Sequence, residues 1–506
     1  LSIFHHYSSH LVSLIITSKL FNSQEKEKIV ADTAALLAFQ EAEDTAEDLA
    51  CIPVLKKEDI KKETAKLYNE EKRIGEAVCL YHDVFTNGIS YLRFMFKAMQ
   101  VPTEYLTYLG LFKQVIGLVD TEKYTYSQLF HEMHIETGGM VPLVNLYTES
   151  TDLNKCNVYF EWKVKTLESK LQEAYDLSKE VLLHSVFEDE KRLYEIIAEL
   201  KSRMQSDMAS SGHQVAMGRA TSYFSKAAAI SNEMNGIPLY RLVCDIEKNY
   251  ETRKVELKEK LQNICKFLFR PENLMFDFTG SKNSYEAFAG IVSGFAKELY
   301  TTELTTEGFS VVPEKKNEAF MTAGQVQYVA KAGNFLKKGL PYTGALRMLK
   351  VIMGYDYLWN QVRVKGGAYG CMSGFSKNGD SYFVSYRDPN LTKTLETYGN
   401  AVEYLRNFSG DERTMTQYLI GAISDLDVPL TPQSKGRQAL SAYMTKQTQE
   451  DFQRERDELL AADVETIRGL AKYVESFLED DCICVVGAAA KVKENKDLFY
   501  NVGNLL

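Results

Sequence analysis

Arg363, Gly366, Gly367 and Tyr369 fall close together in the stretch NQVRVKGGAYG, Asn360 to Gly370. A guanidinium is always charged and a phenol is neutral at ordinary pH, and both donate hydrogen bonds. Fixed on either side of a rigid turn, such a pair suits a peptide carbonyl, or the oxyanion formed when water adds to it. A plainer reading accounts for each residue separately. Arg363 would be a cation on the last turn of a helix, where the helix dipole favours it. Gly366 and Gly367 would end that helix with backbone angles other residues resist. Tyr369 would be a sheet-packing aromatic. The glycines also leave room for an extended chain to approach as an added strand. Spacing alone leaves both readings open.

Other candidates are weaker. His131-Glu132-Met133-His134 approaches the zinc-binding H-E-x-x-H, but the second histidine comes one residue early. A helix would still place the two i, i+3, yet no third ligand or base lies nearby, so exposed helix histidines are expected. The inverted H-x-x-E-H does not occur, nor do a G-x-S-x-G elbow, a Walker loop or dinucleotide glycines. Ser211-Gly212-His213 pairs a hydroxyl with a base, but a serine before a helical run is expected to be its N-cap. Asn235-Gly236 is expected to end a helix.

These residues sit in a chain of 506 residues, 45% hydrophobic and 25% charged, which is ordinary globular composition with room for several cores. The net charge of -10 argues against nucleic acid as a partner. The eight cysteines form no CxxC pair, and Cys482 and Cys484 alternate within an apolar run. A reducing, cytoplasmic setting follows as an expectation. No apolar run reaches membrane-spanning length, so no membrane partner is expected. The opening residues lack a basic start, a small-residue cleavage site and an initiator methionine. They are expected to be part of a longer protein rather than a signal peptide.

Residues 1–72 are expected to form a helical hairpin, with Asn22 and Glu25 as a capping box and residues 56–73 as a solvated charge run. Asn87-Gly88 between apolar runs signals a hairpin joining the strands on either side. Gly138-Gly139 precede a strand, a turn, a second strand and two helices. Gly366-Gly367 precede the same series roughly 225 residues later, with a turn at Asn378-Gly379. That repeat implies an internal duplication. The predicted fold class is α+β: two homologous domains, 73–270 and 271–506, each an antiparallel sheet with helices on one face, preceded by the hairpin. The strand in NLMFDFTG, after Pro271, is expected to open the second copy.

The string LWNQVRVKGGAYG resembles the C-terminal-half signature of the insulinase-type (pitrilysin-like, inverted-zincin) zinc metallopeptidases, in their presequence protease branch. TNGISYLRFMF, IETGGM, SSGHQVAMGRATSYFS with the later NGIPLY, and DLDVPLTPQSKG follow in the order of that branch. EDLACIPVLKKEDI resembles its inter-half hairpin. The resemblance implies four related α+β domains in a clamshell, two per half. It implies zinc (Zn) held by H-x-x-E-H and a further Glu in an N-terminal catalytic half, which would be this chain's partner, and none bound here. By itself this chain should then be inactive. Unfolded peptides would be the substrates, with Arg363 and Tyr369 reaching them across the chamber and Gly366 and Gly367 at the same contact. A non-catalytic structural or peptide-binding subunit of the same superfamily is the alternative.

Overall fold

A computed structural model describes residues 22–42, 45, 47–48, 51, 55–150, 152–304 and 307–506. The chain divides into two compact units, one ending at Asp59 and one beginning at Ile60.

In the first unit a helix spans Ser23–Glu41, and the expected capping box is present. The Glu25 amide donates to Asn22 Oδ1 at 2.9 Å and the Asn22 amide to Glu25 Oε2 at 2.8 Å, satisfying two donors that a helix start leaves open. The rest of the expected hairpin falls largely outside the described residues.

The second unit contains two six-stranded sheets. The first comprises β1 (Glu70–Ile74), β2 (Ala77–Asp83), β3 (Ile89–Lys97), β4 (Met140–Glu149), β5 (Asp152–Leu167) and β6 (Leu274–Gly280), in the order β1-β2-β6-β3-β5-β4. The second comprises β7 (Glu318–Thr322), β8 (Gln327–Asn334), β9 (Gly370–Phe375), β10 (Asp380–Tyr386), β11 (Cys482–Ala488) and β12 (Asn501–Asn504), in the order β12-β7-β11-β8-β10-β9. Without the outermost β1 and β12 the two orders coincide. In each, the last strand enters between the first two, parallel to one and antiparallel to the other. The α+β class and the duplicated plan are therefore both present.

Several expectations change. Neither sheet is purely antiparallel, since β6 runs parallel to β2, and β7 runs parallel to β11 and β12. The strand Leu274–Gly280 does not open the second copy; it completes the first, since Phe276 pairs with Cys79 on one side and Phe94 on the other. By sheet membership the first copy thus extends past residue 270. For the same reason Asn87-Gly88 does not close a hairpin. Both residues have left-handed dihedrals, φ 52° and 80°, but β6 separates β2 from β3. A turn signal reports local dihedrals, not which strand wins the neighbouring edge. Finally, the charge run is not merely solvated: Glu70–Ile74 pairs with β2, and the segment before it is tied down. The Thr64 and Leu67 amides donate to Gln453 and Gln449. Arg456, 2% exposed, holds the Lys61 carbonyl and forms a two-bond ion pair with Asp427.

Helices cover both faces of the sheets rather than the one face expected, because one helix of each copy packs on the other's sheet. Gly212–Ser222 lies across β8, β10 and β11, placing Ala216, Ala220 and Tyr223 against Ala330, Cys484 and Val486. Pro432–Met444 lies across β2, β4 and β6, with Leu440 and Met444 against Leu80, Met95 and Met275. Glycines permit both approaches: a Cβ on Gly436 would sit 1.9 Å from Thr279 Oγ1, and one on Gly212 would sit 2.4 Å from the Tyr328 ring. The first sheet also carries a buried polar row. His82 Nε2 meets Asp277 at 2.7 Å, Arg93 bonds Glu161 at 3.0 Å, and the Tyr147 hydroxyl donates to Glu161 at 2.6 Å.

Candidate functional site

The helix that carries Arg363 begins at Ala345 and buries Leu346, Leu349 and Ile352. From Met353 to Tyr357 and again from Trp359 to Val364 it widens to π-helical turns. Such turns shift the facing of every later side chain, and they recur at functional sites. Met353, Leu358 and Val362 remain buried, so the widening keeps the apolar stripe inward. On the outward side the Arg363 guanidinium lies over Trp359, 3.8 Å from the ring centre. Among the described residues Arg363 has no carboxylate partner, so its donors remain available.

Gly366 and Gly367 make the exit, each for a separate reason. A Cβ on Gly366 would come 2.4 Å from the Val362 carbonyl oxygen, and Gly367 has φ +83°. The Gly367 amide closes on the Arg363 carbonyl and the Ala368 amide on that of Val362, which caps the helix. The turn is fastened from the far side by Asn390, whose side-chain amide donates to the Gly366 carbonyl at 2.7 Å. Asn390 is in turn held by Asp388, which accepts from the Asn390 amide at 2.8 Å and from the Thr394 hydroxyl at 2.7 Å. Burial pushes the Asp388 carboxyl above the usual carboxylate range, against the pull of these hydrogen bonds.

Beyond the turn, Tyr369 is anchored through its backbone, donating to the Tyr386 carbonyl at 3.0 Å. Its ring stands edge-on to Tyr386 at 5.7 Å but is 68% exposed. It is therefore a presented side chain rather than a packed one. Its hydroxyl has no hydrogen-bond partner among the described residues. His213 also stands edge-on to Tyr386, 4.8 Å away. Its Nδ1 is buried without a hydrogen-bond partner among the described residues, and burial lowers its tendency to take a proton. Tyr369, Trp359, Tyr355, Tyr386, His213 and Lys350 line one cleft of about 930 Å³.

The predicted site residues are thus brought to one place: Arg363 stacks on a wall residue of the cleft that Tyr369 also lines. The histidine pair of the near-zinc motif is elsewhere and on the surface, with His134 Nδ1 at 2.8 Å from the Phe130 carbonyl. Among the described residues no group of three or more His, Cys, Asp or Glu stands as a metal site. Ser211 precedes its helix as expected but makes no side-chain cap. Trp359, Tyr386 and Asn390 escape the sequence reading. The i, i+4 spacing of Trp359 and Arg363 and the alternation Tyr382-Val384-Tyr386 are the available signals. For His213, nothing local announces that its helix crosses to the other sheet.

Two family models match the chain: the domain associated with subfamily C of peptidase family M16, over residues 14–246, and the "PreP C-terminal domain", over residues 317–491. Protein HypA of Clostridium perfringens is 38% identical over 96% of this chain and 50% of its own length. Presequence protease 1, chloroplastic/mitochondrial, of Arabidopsis thaliana is 28% identical over 92% of this chain and 43% of its own. The chain spans about half the length of these relatives. Among solved structures, the peptidase M16 inactive domain from Pseudomonas fluorescens shares the fold at a TM-score of 0.56 and 13% identity, covering 84% of this chain and 98% of that one. A protease from Helicobacter pylori does so at 0.57 and 11%, covering 83% and 99%.

Proposed function

Because the chain belongs to the M16 peptidases of the presequence-protease type, as their C-terminal half, we propose that it is the zinc-free half of a zinc metallopeptidase that degrades unfolded peptides in a closed chamber. The observation that carries this reading is the pair of open donors on either side of one glycine turn, Arg363 stacked on Trp359 and Tyr369 exposed. Among the described residues no group of His, Cys, Asp and Glu stands ready for zinc; in this reading the metal and the bond-breaking chemistry belong to the N-terminal half.

What these residues would do follows from their geometry. An extended peptide entering the aromatic cleft meets Tyr369, which lines it, and Arg363, stacked on Trp359 of its wall. The phenol and guanidinium donate to a substrate carbonyl, orient it, and strengthen those bonds as negative charge develops on its oxygen. Stacking on the indole stiffens the guanidinium without neutralising it, which reduces the ordering cost at the moment of binding. The free state of all eight cysteines suits a reducing compartment such as the cytoplasm.

The test uses the full-length protein and an unfolded fluorogenic peptide. Loss of one oxyanion donor costs on the order of a hundredfold in turnover, so Arg363→Ala and Tyr369→Phe should each lower kcat by about that much. Near-normal kinetics in both would sink the assignment. A scaffold or peptide-binding subunit is the alternative. An H-x-x-E-H in the coding sequence upstream of Leu1, with chelator-sensitive cleavage, excludes it.

A further inference from the structure

The first copy has its own glycine pair, and the space beside it is not filled. Gly138 and Gly139 leave the helix Tyr126–Glu136 and lead into β4, with Gly139 at φ +129°. A cleft of about 730 Å³ opens there, between that helix, the helix Leu106–Val115 and the start of β4. Three of its wall residues are large apolar side chains left in water: Phe130 is 54% exposed, Val141 43% and Leu118 40%. Deeper in the wall lies Trp162, fully buried, whose indole N–H has no hydrogen-bond partner among the described residues.

Two cations border this apolar space, and among the described residues neither has a carboxylate partner. The Lys113 ammonium donates to the Asn235 side-chain oxygen at 2.6 Å, and Arg203 donates to that of Gln114 at 2.8 Å. Burial, and then the charge of Arg203, hold the Lys113 ammonium below the ordinary lysine range. An anion brought into the cleft would relieve both effects.

The strand beside the cleft is also open. β4 is the terminal strand of its sheet. From Val141 to Thr148, no backbone amide or carbonyl bonds outside the β4–β5 ladder among the described residues. An edge of this kind accepts a further strand.

We propose that this cleft and the adjoining edge of β4 form a second peptide-binding site, which takes the C-terminal end of an extended peptide as an added strand. An apolar last side chain enters between Phe130 and Trp162, and its free carboxylate lies between Lys113 and Arg203. A C-terminal residue is favoured over an internal acidic one because it alone carries apolar side chain and carboxylate on the same residue. The site does not depend on the roles given to Arg363 and Tyr369.

The test measures binding of a fluorescein-labelled peptide ending in phenylalanine to this chain by anisotropy. Charge-assisted hydrogen bonds make the free acid bind roughly tenfold or more tighter than the same peptide with a C-terminal amide. Lys113→Gln and the exposed Arg203→Gln each remove most of that difference, while Lys191→Gln, an exposed cation on the same helix as Arg203, leaves it intact. The chain has two tryptophans, so in a Trp359→Phe background the emission of Trp162 reports on the cleft directly and changes on saturation. Equal affinity for acid and amide would overturn the proposal. So would an unmoved Trp162 signal at saturation, equal binding of an amidated peptide with an internal glutamate, or an equal loss caused by Lys191→Gln.

Discussion

Arg363 and Trp359 are held face to face, guanidinium carbon 3.8 Å from ring centre, on successive turns of a widened helix. Such contacts contribute roughly 0.5–2 kcal/mol depending on exposure. Trp359→Ala in the full-length enzyme should therefore raise KM and lower kcat/KM by about three- to thirtyfold, less than Arg363→Ala does. Steady-state kinetics on an unfolded peptide would check the ranking, and equal losses would mean that the ring binds substrate in its own right.

The two glycines of the turn should fail differently. Gly367→Ala forces an alanine to φ +83° and should cost roughly 1–2 kcal/mol. Gly366→Ala drives a methyl to 2.4 Å from the Val362 carbonyl oxygen, a backbone atom that cannot rotate away, so it should cost more and displace Arg363. Urea unfolding of the isolated chain would give both values.

The His82–Asp277 contact makes a pH prediction. Burial disfavours the charged imidazole, but the Asp277 carboxylate and its hydrogen bond outweigh this, and the His82 pKa is raised. A folded pKa above the unfolded value, about 6.5, makes the charged pair stabilising below that pH. The contribution is lost as pH rises through the folded pKa. The urea midpoint should fall over this alkaline-going window, and His82→Gln should flatten the fall.

Arg456 buries its guanidinium to hold Lys61 and Asp427. Arg456→Met leaves the Asp427 carboxylate, 43% exposed, to water but strips the Lys61 carbonyl of the guanidinium that holds it, which should cost roughly 1–2 kcal/mol. Trypsin should then cut at Lys61 and Lys62 faster than in the parent chain, as mass spectrometry of early fragments would show.

A methyl on Gly436 would meet Thr279 Oγ1 at 1.9 Å. Gly436→Ala should lower the unfolding midpoint, and a second change, Thr279→Ala, should recover part of the loss by removing that oxygen. No recovery would place the strain elsewhere on the helix.

How legible all this is depends on the range of the interaction. The capping box at Asn22, the β4–β5 and β9–β10 hairpins and the helix exit at Gly366-Gly367 are readable because their causes lie within a few residues. The insertion of β6 between β2 and β3 is not, because Leu274–Gly280 carries no mark of the strands it will join almost two hundred positions earlier. β7 and β8 escape the sequence reading, and the crossing of Gly212–Ser222 is invisible for the same reason as β6. The site is half legible: Arg363 and Tyr369 stand out by type and spacing, whereas His213 and Asn390 reach it only through the tertiary fold.

The exchange of helices between the two sheets has a consequence for how the molecule is divided. Each sheet borrows part of its cover from the sequence of the other, Gly212–Ser222 in one direction and Pro432–Met444 in the other. No single cut in the chain yields two pieces that each keep both faces of a sheet dry. The repeated unit is therefore a unit of ancestry but not of folding. Expressed alone, residues 70–300 would present Leu80, Met95 and Met275 to water, and would be driven to aggregate or to recruit the missing helix from elsewhere.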